Sequence, residues 1–287
     1  MSEPSSDSAG PGAGGAPIGV FDSGVGGLTV VSALRRLLPS EDIFYLGDTA
    51  RVPYGGKSPL AVERYSIENS GALLAEKVKM IVVACNTASA IAVPRLRELF
   101  NTPVLGVIEP GAATAVRTTR NGKVGVIGTR ATINSHAYEH AIRDLDPAIH
   151  VTPRACPVFV PLVEENWLDD PITDLVVARY LTPMIAIGID TLVLGCTHYP
   201  LLRGAIEKFT GAGINVVDSA QTCAEAVREL LRTEDLAAPD GHRGNLRVAL
   251  TDVGERFLKV AVNALGLTLD SVEHHPLQKI VLAGEES

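Results

Sequence analysis

The chain has 287 residues, 46% of them hydrophobic, with 33 acidic against 25 basic side chains and a formal net charge of −8. That is enough apolar chain to bury one large core or two smaller ones, and it excludes a disordered protein. The acidic balance excludes a general nucleic-acid or anionic-membrane surface, which needs a basic field, but leaves room for a local site that binds a small anion.

Residues 1–16 lack the basic and apolar regions of a secretory leader, and their Gly/Ser/Pro/Ala content predicts a flexible tail. IGVFD then predicts a strand over 18–22. Leu28, Val31, Leu34 and Leu38 form the apolar stripe of a following helix. Further strands are predicted over 43–46, 80–84, 104–107, 124–128, 149–152, 191–195, 214–217 and 247–250, with helical patterns between them. Ser58-Pro59 reads as an N-cap followed by proline at the first helical position. Most of these runs are β-branched and do not alternate with polar residues, as expected of strands covered on both faces. Repeated β-α units of this kind predict an α/β fold with parallel sheets. The longest apolar stretch is broken by Lys79 and Asn86, so no membrane span is expected.

A weak internal repeat divides the chain. IGVFDS precedes ACNT in the first half, and VGVIGT precedes GCTH in the second. Each half offers a polar residue after its first strand and a cysteine after a later one. The predicted architecture is two similar lobes, each a mainly parallel sheet flanked by helices, with the active site in the cleft between them. Residues 17–108 plus 218–287 would form a discontinuous first lobe and 109–217 the second, the return resting on a leftover strand and helix near 247–265.

The four cysteines form no CxxC pair and match no zinc spacing, so free thiols in a reducing cytoplasm and no metal site are expected. A lone cysteine is more often a small buried hydrophobe than a reactive group. Cys85 and Cys196 differ in context. Each follows a buried strand where a helix should begin, facing the ligand crevice of a parallel α/β sheet. A helix N-terminus would lower the thiol pKa there. Asn86 and Thr87 follow the first, Thr197 and His198 the second. Two matched thiols suggest acid/base work on both sides of one carbon. Ile91 and Leu202 stand where a phosphatase-type thiol would want arginine. Cys156 and Cys223 lack this context and read as structural.

Other segments supply donors. In FDSGVGGLTV, Asp22 and Ser23 precede a glycine turn whose N–H groups can approach a ligand, or which is simply tight. It fails the dinucleotide fingerprint, because Thr29 stands where the third glycine belongs, and no Walker A pattern occurs. The loop YLGDTARVPYGGKS, with Asp48, Arg51, Tyr54, Gly55 and Lys57, reads either as a crevice cap, with the Tyr54 hydroxyl and Gly55 N–H as donors, or as an ordered surface turn. Thr129 and Thr132 in GTRAT place hydroxyls at a strand end. His198 could tune Cys196 or bind a carboxylate. Glu164, in PVFVPLVEEN, is a candidate helper, and Glu165 beside it reads as surface charge.

Together DSGVGGLTV, YLGDTARVPYGGKS, ACNTASA, VIEP, GTRAT, FVPLVEEN, GCTHYPLL and VVDSA resemble, in order, the glutamate racemases, over about 17–231. ACNT-type loops alone also suit aspartate and hydantoin racemases and arylmalonate decarboxylases; GDTARVPYG narrows the choice. The resemblance implies interconversion of L- and D-glutamate without a cofactor or metal. One thiolate takes the Cα proton and the opposite thiol returns one. By this resemblance Cys85 acts on D-glutamate with Asp22 assisting, and Cys196 acts on L-glutamate with His198 and Glu164 assisting. Asp22, Ser23, Tyr54, Gly55, Asn86, Thr87, Thr129, Thr132, Thr197 and His198 would contact substrate. It further implies a cytoplasmic homodimer supplying D-glutamate for peptidoglycan. The chemistry is coherent: without a pyridoxal electron sink, charge developing on the carboxylate must be met by donors such as Asn86, Thr87, Ser23 and Thr197. An aspartate or hydantoin substrate, or a non-catalytic amino-acid-binding protein, are the competing readings.

Overall fold

Non-alternating apolar runs give parallel ladders throughout: every strand pair among the described residues is parallel. The computed structural model describes residues 13–254, 261 and 272–276. Strands β1 (Ile18–Asp22), β2 (Ile43–Gly47), β3 (Met80–Val83) and β4 (Val104–Gly106) start a first sheet. Strands β5 (Lys123–Gly128), β6 (His150–Ala155), β7 (Thr191–Gly195) and β8 (Asn215–Asp218) form a second, and β9 (Leu246–Leu250) and β10 (Val272–His274) return to the first. The orders are β10-β9-β2-β1-β3-β4 and β6-β5-β7-β8.

The helices fill the crossovers. They are α1 (Leu28–Leu37), α2 (Pro59–Ala75), α3 (Asn86–Leu99), α4 (Ile108–Thr118), α5 (Arg130–Asn134), α6 (Ala137–Leu145), α7 (Phe159–Glu164), α8 (Pro171–Ala186), α9 (Arg203–Thr210) and α10 (Ser219–Thr233). The Ser58 hydroxyl accepts from the Ala61 N–H at the start of α2, the cap that Ser58-Pro59 predicts. On one face of the first sheet, Leu28, Val31 and Leu34 of α1 are buried with Val227 and Leu231 of α10. On the other face, Val83 and Phe21 are buried with Val62 of α2 and Leu96 of α3. The second sheet likewise has apolar clusters on two faces.

The sequence repeat is a repeat of topology. The order β2-β1-β3-β4 is matched by β6-β5-β7-β8. Each sheet reverses its strand order between its first and third strands, and open α/β sheets bind ligands at that switch point. Asp22 ends β1 and Cys85 follows β3; Thr129 follows β5 and Cys196 follows β7. The candidate residues thus sit at equivalent points of two sheets.

Some boundaries differ from the sequence pattern. The strand predicted over 149–152 runs on through Pro153 to Ala155, because β6 is an edge strand and the absent proline N–H breaks no ladder bond. The strand β10 carries no sequence signal in three residues. Of the strand and helix predicted near 247–265, the strand is β9 (Leu246–Leu250); beyond it residues 251–254, which are not helical, and buried, helical Ala261 fall within the described residues. Of the predicted tail, residues 13–16 do, and there the Gly14 carbonyl accepts from Lys79 Nζ at 2.8 Å. No helix among the described residues is long and apolar enough to cross a membrane.

Candidate active site

Cys85 is the N-cap residue of α3, as the sequence predicts, but Cys196 leads into a 3-10 turn (Tyr199–Leu202) before α9 begins. Both thiols line one cavity between the sheets, with Ser23, Tyr54, Gly55, Asn86, Thr87, Thr129, Thr197 and His198. Asp22, Thr132 and Glu164 stand behind this lining. Val52, Pro53 and Val160 complete the wall. The cavity holds about 20 Å³, room for about one water, so an amino acid enters only if the walls part. A larger groove of about 540 Å³ lies between α3, α4 and α6, lined mainly by small apolar residues, and contains none of the candidate residues.

The two thiols have unlike surroundings. The Cys85 Sγ donates to the Ser23 hydroxyl at 3.8 Å. Burial pushes its pKa up to about 12, and the charge of Asp22 adds to the effect, outweighing the Ala88 N–H at the helix start. The sequence expectation of a lowered thiol pKa is therefore reversed at Cys85, because a nearly dry site disfavours the thiolate more than one helix end favours it. Cys196 Sγ lies 3.9 Å from His198 Nδ1. His198 Nε2 lies 3.5 Å from Glu164 Oε1, an ion-pair distance, but forms no hydrogen bond. Burial works against the imidazolium, yet the Cys196 and Glu164 partners, with the charge of Asp22, outweigh it and carry the His198 pKa up to about 10.

Asp22 belongs to both halves. Its fully buried carboxylate accepts from the Gly24 N–H at 2.9 Å and from the Thr197 hydroxyl, in the opposite lobe, at 3.3 Å. Burial raises its pKa, against the opposing pull of His198 and the Gly24 and Gly27 amides. Gly26 permits this closeness: a Cβ there would lie 2.5 Å from His198 Nδ1 and 2.4 Å from Thr197 Oγ1. Thr29, the residue that spoils the dinucleotide fingerprint, donates from its hydroxyl toward the Gly26 carbonyl at 2.8 Å and the Thr197 carbonyl at 3.1 Å.

The remaining candidates form two groups. The Thr87, Thr129 and Thr132 hydroxyls lie 2.9, 3.1 and 3.0 Å apart, joining the start of α3 to the start of α5. Gly55 closes over them, since a Cβ would meet Thr129 at 2.7 Å. Tyr54 lines the cavity, but its hydroxyl is not a free donor as the sequence suggested. It donates to buried Asp48, which also accepts from Arg51 Nε at 2.7 Å and Thr251 Oγ1 at 3.0 Å. A buried carboxylate takes every donor within reach. Glu68 completes that network through Arg51. Sequence reasoning missed Glu68, Thr251 and Tyr138, single polar residues with no motif around them, and Tyr45 and Ser219, which lie within YLGDTARVPYGGKS and VVDSA but carry no local signal of their own.

The His198 charge gives a pH test. Its folded pKa of about 10 lies above the ordinary 6.5. Its stabilisation is therefore complete below about pH 6.5 and is lost as pH rises through about 10. The Tm difference between wild type and His198→Gln is expected to shrink over that window. A difference flat with pH would show that the histidine is not held as the cation.

Residues 27–227 match the family described as Asp/Glu/Hydantoin racemase. A glutamate racemase of Geobacter metallireducens is 50% identical over 255 residues, covering 89% of this chain and 94% of its own. Among solved structures, a glutamate racemase isoform of Bacillus anthracis superposes with a TM-score of 0.88 at 40% identity, over 92% of this chain and 99% of that one. The Francisella tularensis glutamate racemase in complex with D-glutamate superposes with a TM-score of 0.85 at 36% identity, over 91% and 98%. The chain carries that fold and the paired thiol motifs at both switch points, and it belongs to the Asp/Glu/Hydantoin racemase family, within its glutamate racemases.

Proposed function

We propose that this enzyme interconverts L- and D-glutamate by proton transfer at Cα between Cys85 and Cys196, without an organic cofactor, and supplies D-glutamate for peptidoglycan. The observation that carries the reading is the pair of thiols lining one cavity from two sheets. The D-glutamate held by the Francisella relative supports the substrate. In the L-to-D direction the Cys196 thiolate takes the Cα proton. The electron pair moves onto the carboxylate, and the Cys85 thiol delivers a proton to the opposite face, leaving Cys85 as thiolate and Cys196 as thiol. The His198 imidazolium is the counter-ion for charge on the Cys196 sulfur, and Glu164 supports it. Asp22, between the halves, assists at Cys85. Among the described residues no lysine or arginine lines the cavity; the substrate carboxylates are held by Ser23, Asn86, Thr87, Thr129, Thr197, His198 and the Gly55 N–H, with Tyr54 in the wall and Thr132 behind it. Residues 17–108 plus 218–287 and residues 109–217 act as the two lobes that part for substrate, in a cytoplasmic homodimer.

The test is loss of circular dichroism from L- and D-glutamate with no cofactor added, run beside D-aspartate. Racemisation of glutamate from both sides, with aspartate far slower, is expected. Preferred turnover of aspartate would move the substrate, and glutamate binding without Cα exchange in D2O would make the chain a binding protein.

A further inference from the structure

We infer that Tyr138 is a positioning residue that holds the Asn86 amide in the orientation a substrate carboxylate needs. The inference rests on the racemase reading above. Tyr138, at the start of α6 in the second lobe, is buried, and its hydroxyl donates to Asn86 Oδ1 at 2.8 Å. Asn86 opens α3 in the first lobe, directly after Cys85. Its Nδ2 donates to Ser219 Oγ at 3.4 Å. The amide oxygen is thus committed to the phenol, and one Nδ2 hydrogen remains for the cavity that Asn86 lines.

Orientation decides the sign of the interaction. An amide presenting nitrogen to a carboxylate donates a hydrogen bond; one flipped by half a turn presents oxygen and repels it. Nothing in Asn86 itself selects between these, because its two ends are nearly the same shape. Tyr138 selects. Its hydroxyl donates to the oxygen while Ser219 takes the nitrogen on the other side, and burial carries the phenol above its ordinary range, so the proton that makes this bond stays in place. The tyrosine is itself fixed by two glycines. A Cβ on Gly111 would lie 3.2 Å from its hydroxyl, and one on Gly195 would lie 3.1 Å from its ring. Gly195 immediately precedes Cys196. One side chain therefore touches the residue before one thiol and the residue after the other.

The test is a double-mutant cycle on the full chain: wild type, Tyr138→Phe, Asn86→Ala and the double variant, assayed from both enantiomers, with Tm measured for each. Tyr138→Phe is expected to lower kcat/KM about five- to tenfold, the size of one lost hydrogen bond. The loss must be equal in both directions, because the equilibrium constant between enantiomers is unity. In the Asn86→Ala background the same change is expected to cost less than about twofold, since the group Tyr138 acts through is gone. A full additive loss there, or wild-type rates in Tyr138→Phe, overturns the inference. If Tyr138→Phe does not fold, 3-fluorotyrosine at position 138 keeps the shape and alters the donor. It is expected to change kcat/KM with Asn86 present and leave it unchanged with Asn86→Ala; equal behaviour in both overturns the inference. An inactive wild type would instead remove the racemase reading on which this one stands.

Discussion

Cys85→Ala and Cys196→Ala are each expected to lower racemisation by roughly 10²–10⁴-fold, the contribution of one positioned acid or base. Each is expected to keep a slow, one-sided exchange of the Cα hydrogen with D2O. With Cys196 absent, Cys85 can still exchange D-glutamate; with Cys85 absent, Cys196 can still exchange L-glutamate. The two residual rates should differ. Burial carries the Cys85 pKa up to about 12, so the thiolate needed to attack D-glutamate is scarce at neutral pH. Cys196 keeps the His198 imidazole 3.9 Å away as a counter-ion. Exchange of L-glutamate by Cys85→Ala is therefore expected to be faster near neutrality than exchange of D-glutamate by Cys196→Ala, and the latter to rise steeply with pH. Proton NMR in D2O reads both. Full racemisation by either variant would sink the two-thiol assignment, and equal exchange rates would show that the thiols' surroundings do not set their roles.

Lys79→Met is expected to destabilise the fold by about 3–5 kcal/mol, since it leaves a buried carboxylate uncompensated. That is a large share of the 5–15 kcal/mol typical of folded domains. Lys79 and Glu41 form an ion pair with side chains 1% and 4% exposed. They sit just before β3 and β2, at the end of the sheet away from the thiols. Lys79 Nζ also binds the Gly14 carbonyl at 2.8 Å, and Glu41 Oε1 accepts the Ala238 N–H at 2.7 Å. The pair thus fastens the segment before β1 and the chain that returns after α10. The double variant Lys79→Met/Glu41→Leu removes both charges and is expected to recover much of the loss, because a matched apolar pair costs little in a buried site. Urea denaturation of the four proteins measures this. A Lys79→Met loss below about 1 kcal/mol would place the pair among the weak, solvated ones. Racemisation by the folded fraction should be unaffected, which separates this effect from that of the cysteines.

The parallel α/β class, nearly every strand and the two thiols at strand ends can be read from the chain alone. These follow from local patterns: β-branched runs without alternation, turn residues beside them, and a repeated order of motifs. Asp22, Ser23, Asn86, Thr87, Thr197 and His198 were legible for the same reason, since each lies within a few residues of a strand end. Tertiary structure alone decided which of these groups meet and in what state. That Asp22 accepts from Thr197, that the Tyr54 hydroxyl is spent on Asp48, and that Tyr138 reaches Asn86 are consequences of how two lobes dock, and docking leaves no periodic trace in the chain. The thiol chemistry was likewise undecided. A helix end near Cys85 argues for a low pKa, and only the burial around it shows that desolvation wins. Local patterning places a side chain at a strand end; what surrounds it there is set by residues far away in the sequence.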